Sequence, residues 1–166
     1  MRRLRLSTVM KSKRPLKPAL VYAVDLLARQ DYSENRLREK LAAKGYEEDE
    51  TEAAIQRLQE KHYLNDEESC ARRFRYLYTE SSYSVRQICV KLMERGYNSP
   101  LVKSCIPEDR EEVSQREYTA ALRVLESKYR RSQDKQKLLA AMFRRGFPSS
   151  SVYQAVNDFL TDDEEE

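Results

Sequence analysis

LREKLAAKGY (37–46), ICVKLMERGY (88–97) and LLAAMFRRGF (138–147) carry the same pattern. In each stretch the first and fifth residues are apolar, a basic residue precedes a glycine, and an aromatic residue follows it. The chain contains 3 glycines, one in each stretch. An apolar spacing of four places two side chains on one helical face, and a glycine fits the left-handed residue that closes a helix. We therefore predict three copies of one amphipathic helix, which end at Gly45, Gly96 and Gly146.

The start of each predicted helix also has a marker in the sequence. At the same distance before each glycine stands a residue type that favours the N-cap position: Ser33, Ser84 and Asp134. Ser84 and Gln87 additionally form a capping-box pattern. A second helix is predicted after each glycine, beyond a short turn. In NSPLVKSCI we expect Ser99 to be the N-cap, with Pro100 at the first helical position.

A further amphipathic segment precedes each copy, so each unit consists of three predicted helices. Self-similarity with a period of about 50 residues indicates a modular helical array in which neighbouring units share a core. We predict an all-α protein of three tandem three-helix repeats, preceded by a basic, flexible arm and followed by an acidic tail. The predicted boundaries are 1–18 for the arm, 19–66, 67–112 (with the acidic linker PEDREE) and 113–160 for the repeats, and 161–166 for the tail. The joint YLND is so short that we expect the first two repeats to pack as one piece.

The composition supports a helical protein and gives no sign of catalysis. Charged residues make up 36% of the chain, and the helix-forming residues Leu, Ala, Glu, Lys, Arg and Gln dominate. No apolar run approaches the roughly 18 residues that a membrane span needs, and the basic leader lacks the apolar region of a secretory signal. The sequence has no phosphate-binding, dinucleotide-binding, zinc-protease or hydrolase motif. We expect a cytoplasmic protein that is not an enzyme and has no cofactor.

The cysteines and the single histidine indicate neither a metal site nor a catalytic site. Cys70, Cys89 and Cys105 form no C-x-x-C pair and lie among residues with helical patterning. We interpret them as reduced cysteines that act as small hydrophobic side chains. His62 has no recognisable nucleophile partner, so we expect a helix-end residue near the surface.

Charge is distributed unevenly along the chain. The arm carries 7 basic residues and no acid, and the tail TDDEEE carries 5 acids. Residues 19–66 hold 7 basic and 11 acidic residues, whereas residues 113–160 hold 9 and 4. This layout favours contact with a polyanion through the arm and the third repeat, although charged tails are equally compatible with simple solvation.

Two basic regions are candidate binding surfaces. The segment ARRFRYLY (71–78) mixes arginines, which suit phosphates, with aromatic residues, which suit stacking. Its arginines are Arg72, Arg73 and Arg75. The alternative is that Phe74 and Leu77 belong to the core and that the arginines are simply solvated. The second region comprises SKYRRSQDKQK (127–137) and FRRG (143–146), and its candidates are Arg130, Arg131, Lys135, Lys137, Arg144 and Arg145.

Three segments of the sequence resemble the RecX family of proteins, which regulate the RecA recombinase. LLARQDYSENRLREKLAAKGYEEDETEAAIQRLQEKHYLND is similar to the opening repeat of that family. LNDEESCARRF resembles its central signature, and KQKLLAAMFRRGF resembles the signature of its third repeat. The resemblance covers about residues 19–160. It implies an elongated, curved array of three-helix repeats that lodges in the groove of a RecA filament on single-stranded DNA.

The resemblance also implies a function in recombination, DNA repair and the SOS response. It implies that a monomer inhibits the RecA ATPase and strand exchange without catalysis of its own. The positions that match the family's contact motifs are Arg72, Arg73, Arg75, Arg144 and Arg145. The turn YTESSYSVRQ departs from the basic, glycine-containing turn that is usual in the family. The alternative function is direct binding of nucleic acid through the same patches and the basic arm, without RecA.

Overall fold

The computed structural model describes residues 17–130, 132 and 134–162. All regular secondary structure in these ranges is helical, which confirms the all-α prediction. The helices are α1 (Ala19–Leu27), α2 (Glu34–Lys44), α3 (Glu48–Glu60), α4 (Asp66–Glu80), α5 (Val85–Glu94), α6 (Ser99–Ser104), α7 (Arg110–Lys128), α8 (Lys135–Arg144) and α9 (Ser149–Asp162). Most of the predicted basic arm and acidic tail lies outside the described residues, as does Arg131.

The repeated glycines end α2, α5 and α8 as the sequence predicts. Gly45, Gly96 and Gly146 have φ angles of 95°, 93° and 81°, which lie in the left-handed region that favours glycine. The amide of the aromatic residue after each glycine bonds to a carbonyl five residues earlier, at N···O distances between 3.2 and 3.4 Å. This is the hydrogen-bond pattern of a Schellman motif, so the three copies share one mechanism of helix termination.

The predicted N-caps of these three helices are confirmed. The side chains of Ser33, Ser84 and Asp134 each accept a hydrogen bond from an amide three residues later. At Ser84 the capping box is complete, because the side-chain Oε1 of Gln87 accepts a hydrogen bond from the Ser84 amide at 3.2 Å. Such a cap contributes about 1 kcal/mol to helix stability.

The predicted start of α6 is wrong by one residue. Asn98 is the N-cap, and its side-chain oxygen accepts a hydrogen bond from the Leu101 amide at 2.9 Å. Ser99 is therefore the first helical residue and Pro100 the second. Asparagine is at least as good an N-cap as serine, so local propensity does not distinguish the two positions.

Each repeat has its own cluster of buried side chains. The two apolar positions of the repeated pattern are completely buried in all three copies: Leu37 and Leu41, Ile88 and Leu92, Leu138 and Met142. Burial of one such side chain stabilises the folded state by about 1.5–3 kcal/mol relative to leaving it exposed. The helices α2, α5 and α8 are thus anchored in the core at the positions that the sequence indicates. Within the described ranges, no helix has the length and apolarity needed to span a membrane.

The chain divides into two compact units at the joint between α3 and α4. The first unit ends at Asn65, and the second begins at Asp66 and contains α4 to α9. The expectation that the short joint unites the first two repeats is therefore wrong. The second and third repeats form one unit instead, because side chains of α7 bond to the last turn of α4, to the turn that follows it and to the start of α5.

Candidate binding groove of the second unit

A groove of about 520 Å³ lies between α5 and the C-terminal end of α8. On α5, residues spaced by four share one face, so a single helical face supplies one wall. The opposite face of α5 carries Ile88 and Leu92, which are completely buried in the core of the second repeat. The lining residues are Arg86, Gln87, Val90, Lys91 and Glu94 on one side, and Phe143, Arg144, Arg145 and Gly146 on the other.

The groove is strongly cationic, since four basic side chains line it and Glu94 is the one acidic residue among the lining residues. The ammonium of Lys91 lies 4.4 Å from the centre of the Tyr83 ring, which holds this cation over an aromatic face. The aliphatic stem of Arg86 passes close to Gly146. A Cβ atom added at Gly146 would lie 2.7 Å from Arg86 Cδ. The left-handed φ of Gly146 and the close approach of Arg86 therefore both require glycine at this position.

Two apolar side chains also line the groove. Val90 is 42% exposed and Phe143 is 37% exposed. The Phe143 ring packs edge-on against Tyr153, with ring centres 5.8 Å apart and an interplanar angle of 72°. The lining of the groove therefore combines apolar side chains with cations.

Two partly buried hydrogen bonds fix α5 relative to the third repeat. The hydroxyl of Ser84 donates to the carbonyl of Arg145 at 2.7 Å. The carboxylate of Glu117, on α7, accepts from the amide of Val85 at 2.9 Å. Both bonds act at the N-terminus of α5, where backbone amides have no partner within the helix. The start of one wall is thereby attached directly to the end of the other.

Arg116 holds the turn between α4 and α5. Its Nε donates to the carbonyl of Tyr78 at 3.0 Å, and Nη2 donates to that of Ser81 at 3.1 Å. Nη1 donates to the carbonyl of Tyr83. The guanidinium also lies 4.8 Å from the centre of the Tyr78 ring. One side chain thus binds three backbone carbonyls in and beside this turn, which contains no glycine.

Arg116 and Glu117 form a buried ion pair, with Nη1 and Oε2 separated by 3.4 Å. Burial raises the pKa of Glu117 above its ordinary value, against the opposing effects of the Val85 amide and of Arg116. Burial lowers the pKa of Arg116, and Glu117 opposes that shift. Desolvation is the dominant cause of both pKa shifts. The ion pair therefore holds the two side chains in position more than it adds net stability.

The structure brings together two of the predicted site residues. Arg144 and Arg145 both line the groove, and Arg86 and Lys91 are its other two basic residues. Our sequence reasoning missed Arg86 and Lys91. Their proximity to Val90 on one helical face could be inferred from spacing, but no local pattern places α5 beside α8.

The other predicted candidates in the described ranges lie outside this groove. On α4, Arg72 and Arg75 are exposed and Arg73 is half-buried, while Phe74 is a core residue and Tyr76 is 64% exposed. An Arg72 nitrogen lies 3.9 Å from a Glu68 oxygen. Arg130 is exposed just after α7, and Lys135 and Lys137 are exposed in the first turn of α8. A ten-residue helix is about 15 Å long, so these lysines are at the far end of α8 from Arg144.

The cysteines are free thiols in the second repeat. The Sγ atoms of Cys70 and Cys105 are 3.8 Å apart, a proximity that the sequence does not reveal. Burial is the main cause that raises the pKa of Cys70 to about 12, and it also raises the pKa of Cys89. His62 is exposed at the end of α3. No group of three side chains suited to a metal ion occurs in the part of the chain that the structure describes.

Comparison with known proteins places this fold. A family model described as RecX, first three-helix domain, matches residues 19–58. Regulatory protein RecX from Thermus thermophilus is 38% identical over 140 residues, which are 82% of this chain and 89% of that protein. The chain belongs to the RecX family. Regulatory protein RecX from Syntrophotalea carbinolica is 29% identical to this RecX-family chain over 137 residues, 80% of this chain and 90% of that protein.

Solved RecX structures share the fold. The crystal structure of RecX from Lactobacillus salivarius superposes with a TM-score of 0.69 at 15% identity, covering 85% of this chain and 94% of that one. A second crystal structure, of regulatory protein RecX, gives the same TM-score at 20% identity. The tandem three-helix architecture is thus that of RecX, and membership of the family gives this chain a regulatory role.

Proposed function

We propose that this RecX-family protein binds the RecA–single-stranded DNA filament and inhibits the RecA ATPase and DNA strand exchange. The observation that carries the proposal is the cationic groove of the second unit, in which Arg86, Lys91, Arg144 and Arg145 converge. A nucleoprotein filament offers phosphates and protein carboxylates that complement such a surface. The protein acts in the cytoplasm as a monomer, and it needs no catalysis, cofactor or metal of its own.

Inhibition follows from preferential binding to one state of the filament. A ligand shifts a conformational equilibrium by as much as its affinity differs between the states. A regulator that binds one filament conformation more tightly lowers the population of the conformations that ATP turnover requires. The bonds from Ser84, Arg116 and Glu117 fix the groove in advance, so little conformational entropy is lost on binding.

The decisive experiment measures the DNA-dependent ATPase of RecA from the same organism at rising concentrations of this protein. We expect inhibition to saturate, and absence of inhibition at several-fold excess over RecA protomers would refute the proposal. Arg144→Glu combined with Arg145→Glu should raise the inhibitory concentration at least tenfold. The matched control is Arg123→Glu with Lys128→Glu, because both residues are exposed on α7 and neither lines the groove.

One observation favours the alternative function, direct binding of nucleic acid. Tyr76 is 64% exposed on α4, close in sequence to the exposed Arg72 and Arg75, and such a group suits base stacking with phosphate contacts. Binding to naked DNA should weaken linearly in log salt, by roughly 0.7 for each phosphate neutralised on a single strand. Filament binding that persists at salt concentrations where oligonucleotide binding is lost favours RecA as the partner.

A further inference from the structure

We infer that the groove between α5 and α8 binds an acidic protein segment. This segment places one apolar side chain, flanked by its own carboxylates, in the groove. Identification of RecA as the source of that segment rests on the proposed function. The chemistry of the segment rests on the groove alone.

Basic side chains line both walls of the groove. Arg86 and Lys91 line one wall, and Arg144 and Arg145 line the other, so carboxylates can be contacted from both sides. Two of the four cations have defined positions, because Lys91 lies over the Tyr83 ring and the stem of Arg86 passes against Gly146. Guanidinium groups bind carboxylates through two parallel hydrogen bonds, which adds geometric specificity to the attraction.

Apolar side chains accompany the cations in this groove. Val90 and Phe143 both line it and are 42% and 37% exposed. A sugar–phosphate backbone offers nothing that gains from covering these side chains, whereas an aliphatic or aromatic side chain does. The volume of about 520 Å³ lies within the usual range for a binding pocket and accommodates one such side chain together with its flanking backbone.

Nucleic acid suits this groove less well than an acidic peptide does. Single-stranded DNA is bound by stacking its bases on free aromatic faces. Phe143 is the one aromatic residue among the lining residues and packs edge-on against Tyr153, so the groove offers no series of aromatic faces for successive bases. Glu94 also lines the groove and repels a phosphate placed beside it. A peptide avoids this repulsion by placing a backbone amide or a neutral side chain opposite Glu94.

The test uses the full-length protein and three fluorescent probes, with binding followed by anisotropy. The probes are an eleven-residue peptide of glutamates with one central leucine, the matched peptide of glutamates alone, and a thirty-nucleotide oligo(dT). We expect the leucine peptide to bind about tenfold more tightly than the all-glutamate peptide. Arg86→Glu should weaken its binding at least tenfold, and Val90→Ser should remove the advantage of leucine.

Matched controls separate the groove from general effects. Lys103→Glu makes the same change of charge at an exposed residue of α6 outside the groove. Val24→Ser removes a valine that is also 42% exposed, on α1 of the first unit. Neither control should alter peptide affinity. Equal affinity for the two peptides, unchanged binding by the Arg86 and Val90 variants, or tighter binding of oligo(dT) than of the leucine peptide would each overturn the inference.

The same variants distinguish this inference from the proposed function. Groove-dependent peptide binding without inhibition of the RecA ATPase supports the docking site and refutes RecA as the partner. Inhibition of RecA that is unaffected by Arg86→Glu and Val90→Ser refutes the docking site and leaves RecA as the partner. If both hold, an array of overlapping peptides that spans the RecA sequence should identify segments that contain acidic residues around a leucine, isoleucine or phenylalanine.

Discussion

The hydroxyl of Ser84 donates a 2.7 Å hydrogen bond to the carbonyl of Arg145, although 61 residues separate the two in sequence. Ser84 is the N-cap of α5 and Arg145 is the C-cap of α8, so this bond joins the start of one groove wall to the end of the other. Ser84 is completely buried. One side chain therefore both caps a helix and connects the second repeat to the third.

Ser84→Ala should destabilise the protein more than loss of an ordinary cap does. The variant loses the cap, worth about 1 kcal/mol, and leaves the partly buried carbonyl of Arg145 without this donor, at a cost of about 1–3 kcal/mol. Asp134→Ala is the control, because Asp134 is exposed and caps α8 through the Lys137 amide. Urea unfolding should show a loss of about 2–4 kcal/mol for Ser84→Ala and about 1 kcal/mol for Asp134→Ala. Equal losses would contradict a connecting role for Ser84.

Glu117 should make folding stability depend on pH. Burial raises the pKa of Glu117 in the folded protein above its ordinary 4.5. The folded state then holds this proton more tightly than the unfolded chain does, so the stability linked to Glu117 is fully present below pH 4.5 and is lost as the pH rises through the folded pKa. The free energy of unfolding of the unmodified protein should fall relative to that of Glu117→Gln across this interval. In the variant the amide oxygen can still accept from Val85, and Arg116 loses its charged partner.

Glu52 provides a control of opposite sign. Its hydrogen bond with Arg38 lowers the pKa of Glu52, so the stability linked to this group is present above its ordinary pKa and is lost as the pH falls through the folded value. The same comparison with Glu52→Gln should therefore slope in the other direction. Parallel slopes for the two variants would rule out burial as the cause of the Glu117 shift.

Gly146→Ala should impair the groove as well as stability. Its φ of 81° imposes strain on any other residue, at a cost of about 1–2 kcal/mol, and the added Cβ would contact the stem of Arg86. Gly45→Ala creates similar strain at a φ of 95° in the first unit. Both variants should lose stability in thermal unfolding, but only Gly146→Ala should weaken binding of the leucine-containing acidic peptide. A similar loss of affinity in both variants would show that destabilisation alone explains it.

Cys70 should be the last cysteine to react with an alkylating reagent. The thiolate is the reactive form, and burial raises the pKa of Cys70 to about 12 in a side chain that is 0% exposed. Native protein treated with iodoacetamide at pH 8 should be modified first at Cys89 and Cys105, which are only partly buried. Peptide mapping by mass spectrometry reads the order. In concentrated guanidinium the three rates should converge, and rapid native labelling of Cys70 would contradict its burial.

The helical repeats could be predicted because their determinants are local. Leu37 and Leu41 identify a buried helical face by their spacing, and Gly45 and Ser33 identify its two ends by their conformational and hydrogen-bonding preferences. The same holds for the copies that contain Ser84 and Asp134. The start of α6 was misplaced because Asn98 and Ser99 are both good caps, and only the backbone geometry distinguishes them.

The candidate site was predicted only in part. Arg144 and Arg145 stand out because they lie in the most basic of the three repeats. Arg86 and Lys91 do not, since the second repeat is balanced in charge and periodicity does not reveal which helix packs beside which. The proximity of Cys70 and Cys105 was hidden for the same reason.

By itself, the sequence determined an all-helical chain of three repeats, the positions at which helices end, and the side chains that fill each core. These properties depend on residues within a few positions of one another, whose preferences are set by backbone sterics and by burial. Only the tertiary structure decided that the second and third repeats form one unit with a cationic groove. That outcome depends on Ser84, Arg116 and Glu117 reaching backbone groups more than thirty residues away, and no local preference specifies such a bond.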